Sequence, residues 1–352
     1  MNEGGKVLTA HKRRRIDNRR NLSSNELLHQ DMDTLLEEAL AGLGPTLIRR
    51  YPVTAEAIDD IAGHVGLNPQ EFMLTPGSDC AIRLLAWRQV RHGTGGLLLQ
   101  WPNYDAWEDV AARSGLAVER IAGEPDQANR SLCEAAARTS GQLVVLSTPN
   151  GPAGWTTPEP VLDDLVRIAA ERDHLLVIDS CYQAFTGPWT HHLARRGANV
   201  VVVQTLSKSH GLAGARLALL AGEPELVAEL ARERTEQTVS AIAVQMARAL
   251  MAREAELGRI WSDIGKAREH AVATLSSLGH QPLPSGGNFL TIPVGTPLAA
   301  TTLQEQFSRR GYRIRLLTEA EGLSGHIRFT VGDPDLTTDV LAEFTSLLGY
   351  GS

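Results

Sequence analysis

Residues 200–220 read VVVVQTLSKSHGLAGARLALL. The four valines from Val200 to Val203 form a continuous apolar run, the pattern of a strand covered on both faces in a parallel sheet. The run ends in Gln204 and Thr205, and Leu206-Ser207-Lys208-Ser209-His210-Gly211 follows directly. A second apolar run, Leu217 to Leu220, begins just after Arg216. Open α/β sheets bind their ligands outside the carboxyl ends of the strands. This stretch therefore predicts a buried strand that delivers Lys208 to the ligand edge of such a sheet.

Working outward, similar runs recur at Leu97 to Gln100, Leu143 to Ser147 and Leu175 to Asp179. Helical patterns lie between them. Thr54 is positioned to cap a helix with Ile58, Ile61 and Val65 on its inner face, and Pro158-Glu159 opens another carrying Leu162, Leu165, Ile168 and Ala169. Strand–helix alternation of this kind predicts a doubly wound α/β sheet. After Gly222 the pattern changes. Glu223 to about Leu278 reads as helix with a break near Thr238. A strand near Phe289 to Ile292, a helix near Leu303 to Arg310, strands near Tyr312 to Leu316 and His326 to Val331, and a helix from about Asp335 to Leu348 complete a smaller α+β unit. The expected division is a flexible basic arm over 1–20, a segment over 21–45 joining the small domain, a large domain over 46–250 and a small domain over 251–352.

The 352 residues carry 34 basic and 41 acidic side chains, a net charge of −7, and the 43% hydrophobic fraction is enough for a large core. No apolar run approaches the roughly 18 residues of a membrane helix, and the N-terminus lacks a secretory apolar stretch. Cys80, Cys133 and Cys181 are far apart and odd in number, which excludes a disulfide scaffold or CxxC zinc site and favours a reducing, cytoplasmic setting. His11 to Arg20 (HKRRRIDNRR) holds +5 and leaves −12 for the rest. It reads as a solvated arm, because no nucleic-acid-binding signature accompanies it and an acidic body repels a phosphate backbone. His191-His192 reads as a solvated loop rather than a metal site. No GxGxxG follows a strand and no P-loop is present, so dinucleotide and nucleotide-triphosphate chemistry find no support.

Other loops follow the same logic. Ser180-Cys181-Tyr182 follows Asp179, Thr148-Pro149-Asn150-Gly151-Pro152-Ala153-Gly154 follows Ser147, and Pro76-Gly77-Ser78-Asp79 opens a helix carrying Ile82, Leu84 and Leu85. TLSKSHGLAGAR, VIDSCYQAF, TPNGPAG, TPGSDCAIRLL, RRYP, NFLTI and HIRFTVG, together with SSNE, span Asn25 to Gly332. Jointly they resemble the fold-type I, class I/II aminotransferases that use pyridoxal 5'-phosphate, in their histidinol-phosphate aminotransferase-like branch. A Ser-Lys pair with an arginine eight residues on and Asp-x-x-Tyr upstream is specific; any single segment is weak. The resemblance implies a mostly parallel seven-stranded sheet in a large domain, a smaller α+β C-terminal domain, and a homodimer with a shared active site. It also implies transfer of an amino group between a small amino acid or amine and a 2-oxo acid.

It further implies residue roles. Lys208 tethers the cofactor as a Schiff base and then moves the alpha proton. Asp179 holds the ring nitrogen protonated, so that the ring can act as an electron sink, and Tyr182 donates to the ring oxygen. Gly77, Ser78 and Asp79 offer helix-start N–H groups to the phosphate, although Asp79 is alternatively only a helix-cap acid. Ser207, Arg216 and, more weakly, Thr205 match its side-chain donors. Tyr51 matches the tyrosine that reaches the neighbouring subunit's phosphate, or else belongs to an ordinary turn. Tyr104 matches the aromatic stacked on the ring, Arg328 the clamp for the substrate carboxylate, Arg315 a second anion-holding arginine, and Asn25 an asparagine near the substrate. Asn288 reads as structural.

One position departs from the family. Where it usually has Asn-Pro-Thr-Gly, this chain has Gly151-Pro152-Ala153-Gly154. The asparagine that normally bonds the ring oxygen is glycine, and Asn150, one residue early, is the candidate substitute. That loss keeps a decarboxylase or another non-transaminating enzyme, such as one resembling threonine-phosphate decarboxylase, as the alternative. A cofactor-free binding protein is the rival from another class. His210 is either a packing residue or an extra acid/base group.

Overall fold

The protein is described here from a computed structural model, over residues 18–92, 95–187, 190–234, 239–319 and 322–348. The basic arm through Asp17 lies outside the described residues. Seven strands, β1 (Phe72–Thr75), β2 (Leu97–Trp101), β3 (Val118–Ala122), β4 (Leu143–Ser147), β5 (Leu175–Asp179), β6 (Val200–Thr205) and β7 (Ala218–Ala221), form one sheet in the order β1-β7-β6-β5-β4-β2-β3. β2 through β6 pair in parallel, and β7 runs antiparallel to both β6 and β1. β8 (Phe289–Pro293), β9 (Arg315–Leu316) and β10 (His326–Thr330) form a second, antiparallel sheet in the order β8-β10-β9.

The valine-rich runs are strands because both faces of the large sheet are covered. Side chains alternate with period two. Val144, Leu146, Leu176, Ile178, Val200 and Val202 enter one core cluster. Their neighbours Val145, Val177, Val201 and Val203 enter the other. β4 and β5 have the predicted bounds. β1 and β3 were not anticipated. β3 reads VERIA with Glu119 and Arg120 exposed, as an edge strand does. β1 has only four residues and follows a short 3-10 turn.

Helix Glu159–Glu171 buries Leu162, Leu165, Ile168 and Ala169 as its spacing predicts. Helix Ala55–Val65 begins after Thr54, but the Thr54 side chain makes no capping bond. The long helical stretch divides into Pro224–Glu233, Ala241–Met251 and Glu254–Ser277. Among the described residues no helix is long and apolar enough to cross a membrane.

The segment from Asn21 onward is tied to the small sheet. Leu22 N donates to Arg313 O at 2.8 Å, and Thr330 N donates to Leu22 O at 2.8 Å. Residues 23–25 are thereby carried across to the carboxyl edge of the large sheet.

Candidate active site

The strand directions decide which loops meet. β1, β2, β4, β5 and β6 all end at one edge, and antiparallel β7 begins there, so Arg216 arrives at that edge from the opposite chain direction. A cavity of about 540 Å³ lies at this edge. Ser78, Asp79, Tyr104, Asp179, Tyr182 and Thr205 line it, and so do Ser207, Lys208, Arg216, Arg315 and Arg328. A larger cavity of about 750 Å³, walled by Pro52, Ile58, Phe72 and Val227, has no lysine, tyrosine or aspartate among its lining residues. Glu225, Arg232 and Arg234 are its charged groups, and it does not adjoin the strand ends where Lys208, Asp179 and Tyr182 gather.

Lys208 sits on a single helical turn, Leu206–Ser209, started by Thr205, whose Oγ1 accepts from Ser207 N at 3.2 Å. Lys208 Nζ donates to Ser24 O at 2.5 Å. Burial, reinforced by the Arg328 charge, pulls its pKa from 10.5 down to about 8. Asp179 ends β5 and is buried. It accepts from Cys181 N at 3.3 Å and from the Trp107 indole N–H at 3.4 Å, with no ion pair among the described residues. Burial raises its pKa against the pull of those two donors. Tyr182 Oη accepts from Asn25 Nδ2 at 2.9 Å. Burial pushes its phenol pKa up, while Arg328 and Asn25 oppose that.

At the other end of the cavity, Gly77 adopts φ +75° before helix Ser78–His92. Arg216 donates through Nη2 to Asp79 Oδ2 at 2.8 Å, and Tyr104 donates to Asp79 Oδ1 at 3.0 Å. Asp79 thus fixes both the guanidinium and the phenol. Ser207 Oγ accepts from Thr205 Oγ1 at 2.9 Å. On the small-sheet side, Arg328 lies over the Phe289 ring at 5.3 Å and donates to Ser23 O at 3.2 Å.

Four expected residues lie off the lining. Gly77 stands just behind it, because a Cβ there would meet Arg216 Nη2 at 2.7 Å. Asn25 reaches the site through Tyr182. Tyr51 is 81% exposed and is not among the residues lining this chain's cavity. Asn150, expected to replace the missing donor, is corrected. It is fully buried, its Nδ2 donates to Pro102 O at 2.9 Å and Gln100 Oε1 at 3.3 Å, and its Oδ1 accepts from Ala153 N at 3.0 Å. Its polar groups are spent on holding the loop.

His210 is buried edge-on to Trp261 at 5.8 Å, outside this cavity. That favours packing. Asn288 Nδ2 bonds Asn25 O and Glu26 O at 3.2 and 3.1 Å, a structural role. Among the described residues no group of three or more His, Cys, Asp or Glu gathers as for a metal.

Asn103, Trp107, Ser147 and Cys181 were missed. Asn103 Oδ1 accepts from Ser147 Oγ at 2.6 Å and from Tyr104 N at 2.7 Å, while its Nδ2 is buried on the cavity wall without a partner. Asn103 and Trp107 stand in WPNYDAW beside Tyr104, and Cys181 lies between Asp179 and Tyr182. The signal was proximity to residues already chosen.

Comparison with known proteins agrees with this geometry. Residues 18–345 match the family model described as aminotransferase class I and II. A histidinol-phosphate aminotransferase of Syntrophotalea carbinolica is 30% identical over 271 residues, covering 76% of each chain. The structure of histidinol-phosphate aminotransferase from Sinorhizobium meliloti in complex with pyridoxal-5'-phosphate superposes with TM-score 0.76 at 22% identity, covering 93% of this chain and 91% of that one. L-threonine-O-3-phosphate decarboxylase from Porphyromonas gingivalis superposes with TM-score 0.78 at 20% identity, covering 94% and 99%. The match to the family model over nearly the whole chain shows that this protein belongs to the class I and II aminotransferase family.

Proposed function

We propose that this chain is a pyridoxal-phosphate-dependent aminotransferase that moves an amino group between a small amino acid or amine and a 2-oxo acid, with Lys208 as the amine that holds the cofactor. One observation carries it: Lys208, Asp179, Tyr182 and Arg216 come from separate loops and line one cavity. The donor set also fits the cofactor. Asp179 is a buried carboxylate without a cation, suited to a protonated ring nitrogen. A helix start, Ser207 and Arg216 suit a phosphate.

When bound, pyridoxal phosphate supplies an aldehyde for an amine and a ring that accepts electrons from the carbon bearing the nitrogen. Asp179 holds a proton at the ring nitrogen, a charge-assisted hydrogen bond worth about 1.5–3 kcal/mol. Tyr182 donates its phenol proton to the ring oxygen. Lys208 Nζ, with its lowered pKa, can shed and regain a proton near neutrality, as a base at the substrate's alpha carbon must. Ser78 and Asp79 backbone N–H groups, Ser207 and Arg216 hold the phosphate, with Thr205 setting the Ser207 turn. Tyr104, on the cavity wall, would supply an aromatic face to the ring. Arg328 clamps the substrate carboxylate, and Arg315 meets a second anionic group when the substrate has one.

Tyr51 belongs to a neighbouring subunit's phosphate site in a homodimer. Its exposure, beside Ile48 at 76% and Val53 at 85%, supports this. We also assign residues 46–250 to a large domain and 251–352, joined by residues 21–45, to a small one, one domain for each sheet. The three unpaired cysteines fit a cytoplasmic enzyme.

Gly151 supports a second reading, decarboxylation or another non-transaminating reaction. A screen of amino donors with a 2-oxo acid, after loading with pyridoxal phosphate, separates the two. A new amino acid with a keto acid product supports transamination. Carbon dioxide without amino transfer supports the alternative, and loss of neither from any donor counts against both.

A further inference from the structure

Tyr182 is held on two sides. Its ring stands edge-on to Phe289 at 5.0 Å. Its Oη accepts from Asn25 Nδ2 at 2.9 Å, the one hydrogen bond Tyr182 Oη makes among the described residues. An oxygen that receives an N–H keeps its own proton for a different acceptor.

Asn25 is itself fixed by the small sheet. It is 1% exposed, and its φ of +54° is a left-handed conformation that asparagine tolerates better than most residues. Asn25 N donates to Thr330 Oγ1 at 3.0 Å, and Asn25 O accepts from Asn288 Nδ2 at 3.2 Å. The backbone that carries the amide is thus fixed by the small sheet.

The opposite edge of the phenol faces Gly151. A Cβ on Gly151 would lie 3.0 Å from Tyr182 Cε2 and 3.7 Å from Oη. A side chain at 151 would therefore meet the same phenol, and glycine brings none. Asn150 cannot step in, because its polar groups are committed to the loop.

Resting on the cofactor assignment above, we propose that Asn25 is a positioning residue that orients and polarises the Tyr182 phenol towards the cofactor's ring oxygen, rather than a contact to substrate. A hydrogen bond received by a hydroxyl strengthens the bond that hydroxyl donates. Asn25 thereby adds to the stabilisation of negative charge on the ring oxygen, at a position where residue 151 contributes no side chain.

The test is a spectral titration of the pyridoxal-phosphate-loaded protein. The midpoint of the pH-dependent change in its visible band is compared in wild type, Asn25→Ala and Asn25→Asp. The aspartate keeps the shape but has no N–H to give, and it guards against an alanine variant that fails to fold. Both variants are expected to raise the midpoint, by about 0.5–1 pH unit. In a Tyr182→Phe background Asn25→Ala is expected to move it no further. A raised KM with an unmoved midpoint identifies a substrate contact and overturns the proposal. So does a shift that persists undiminished in Tyr182→Phe. A wild-type protein without any visible band overturns the cofactor assignment itself, an outcome distinct from an unmoved midpoint.

Discussion

Gly77→Ala is the sharpest test of the phosphate end of the cavity. Gly77 has φ +75°, and a Cβ would lie 2.7 Å from Arg216 Nη2 and 3.1 Å from Arg216 Cζ. Alanine in that left-handed conformation costs about 1–3 kcal/mol of backbone strain. The methyl also displaces the guanidinium. A hydrogen bond to a charged group contributes about 1.5–3 kcal/mol, and Arg216 is half exposed, so solvent screening favours the low end. The expected loss in pyridoxal-phosphate affinity is therefore about tenfold. Titrating the cofactor-free protein and following the visible band measures it. The same substitution in an Arg216→Ala background is expected to change affinity little, since the displaced group is already gone. An unchanged dissociation constant, or a full tenfold loss without Arg216, would mean that Gly77 does not act by leaving room for the Arg216 guanidinium.

Three other outcomes follow from the same geometry. The folded-state pKa of Lys208 is lowered from 10.5 to about 8, so burying its charge destabilises the cofactor-free protein below that range, and stability is regained as pH rises through the window. Lys208→Met is expected to melt higher than wild type at pH 7, with the gap narrowing above pH 8; a gap independent of pH contradicts this. Trp107→Phe removes the indole N–H 3.4 Å from Asp179 Oδ2, a long bond worth at most about 1 kcal/mol, so kcat should fall by about fivefold or less; a hundredfold loss points to a different role. In the proposed homodimer, mixing Lys208→Ala with Tyr51→Phe chains should restore activity to about a quarter of wild type, because half the dimers would then hold one intact site. Activity no higher than the average of the parents rules out sharing through Tyr51.

The sequence exposed the centre of the large sheet because β4, β5 and β6 are apolar at every position but their ends, a pattern that needs no tertiary information. β3 was hidden because an edge strand can carry Glu119 and Arg120. Lys208, Asp179 and Arg216 were legible because each adjoins a buried strand at the ligand edge. Trp107 was not. Its indole reaches Asp179 only when the helix after β2, Ala106–Ser114, and the end of β5 are juxtaposed, 72 residues apart in sequence. Asn150 misled for a related reason. Adjacency to Gly151 suggested a substitute donor, but the turn points its amide at Pro102 and Gln100.

Borohydride reduction of the cofactor-loaded protein, followed by peptide mass mapping, locates the amine that holds the cofactor. Loss of the visible band and a pyridoxyl group on Lys208 are the expected result. An unlabelled Lys208, with the label on another lysine or absent, would contradict it.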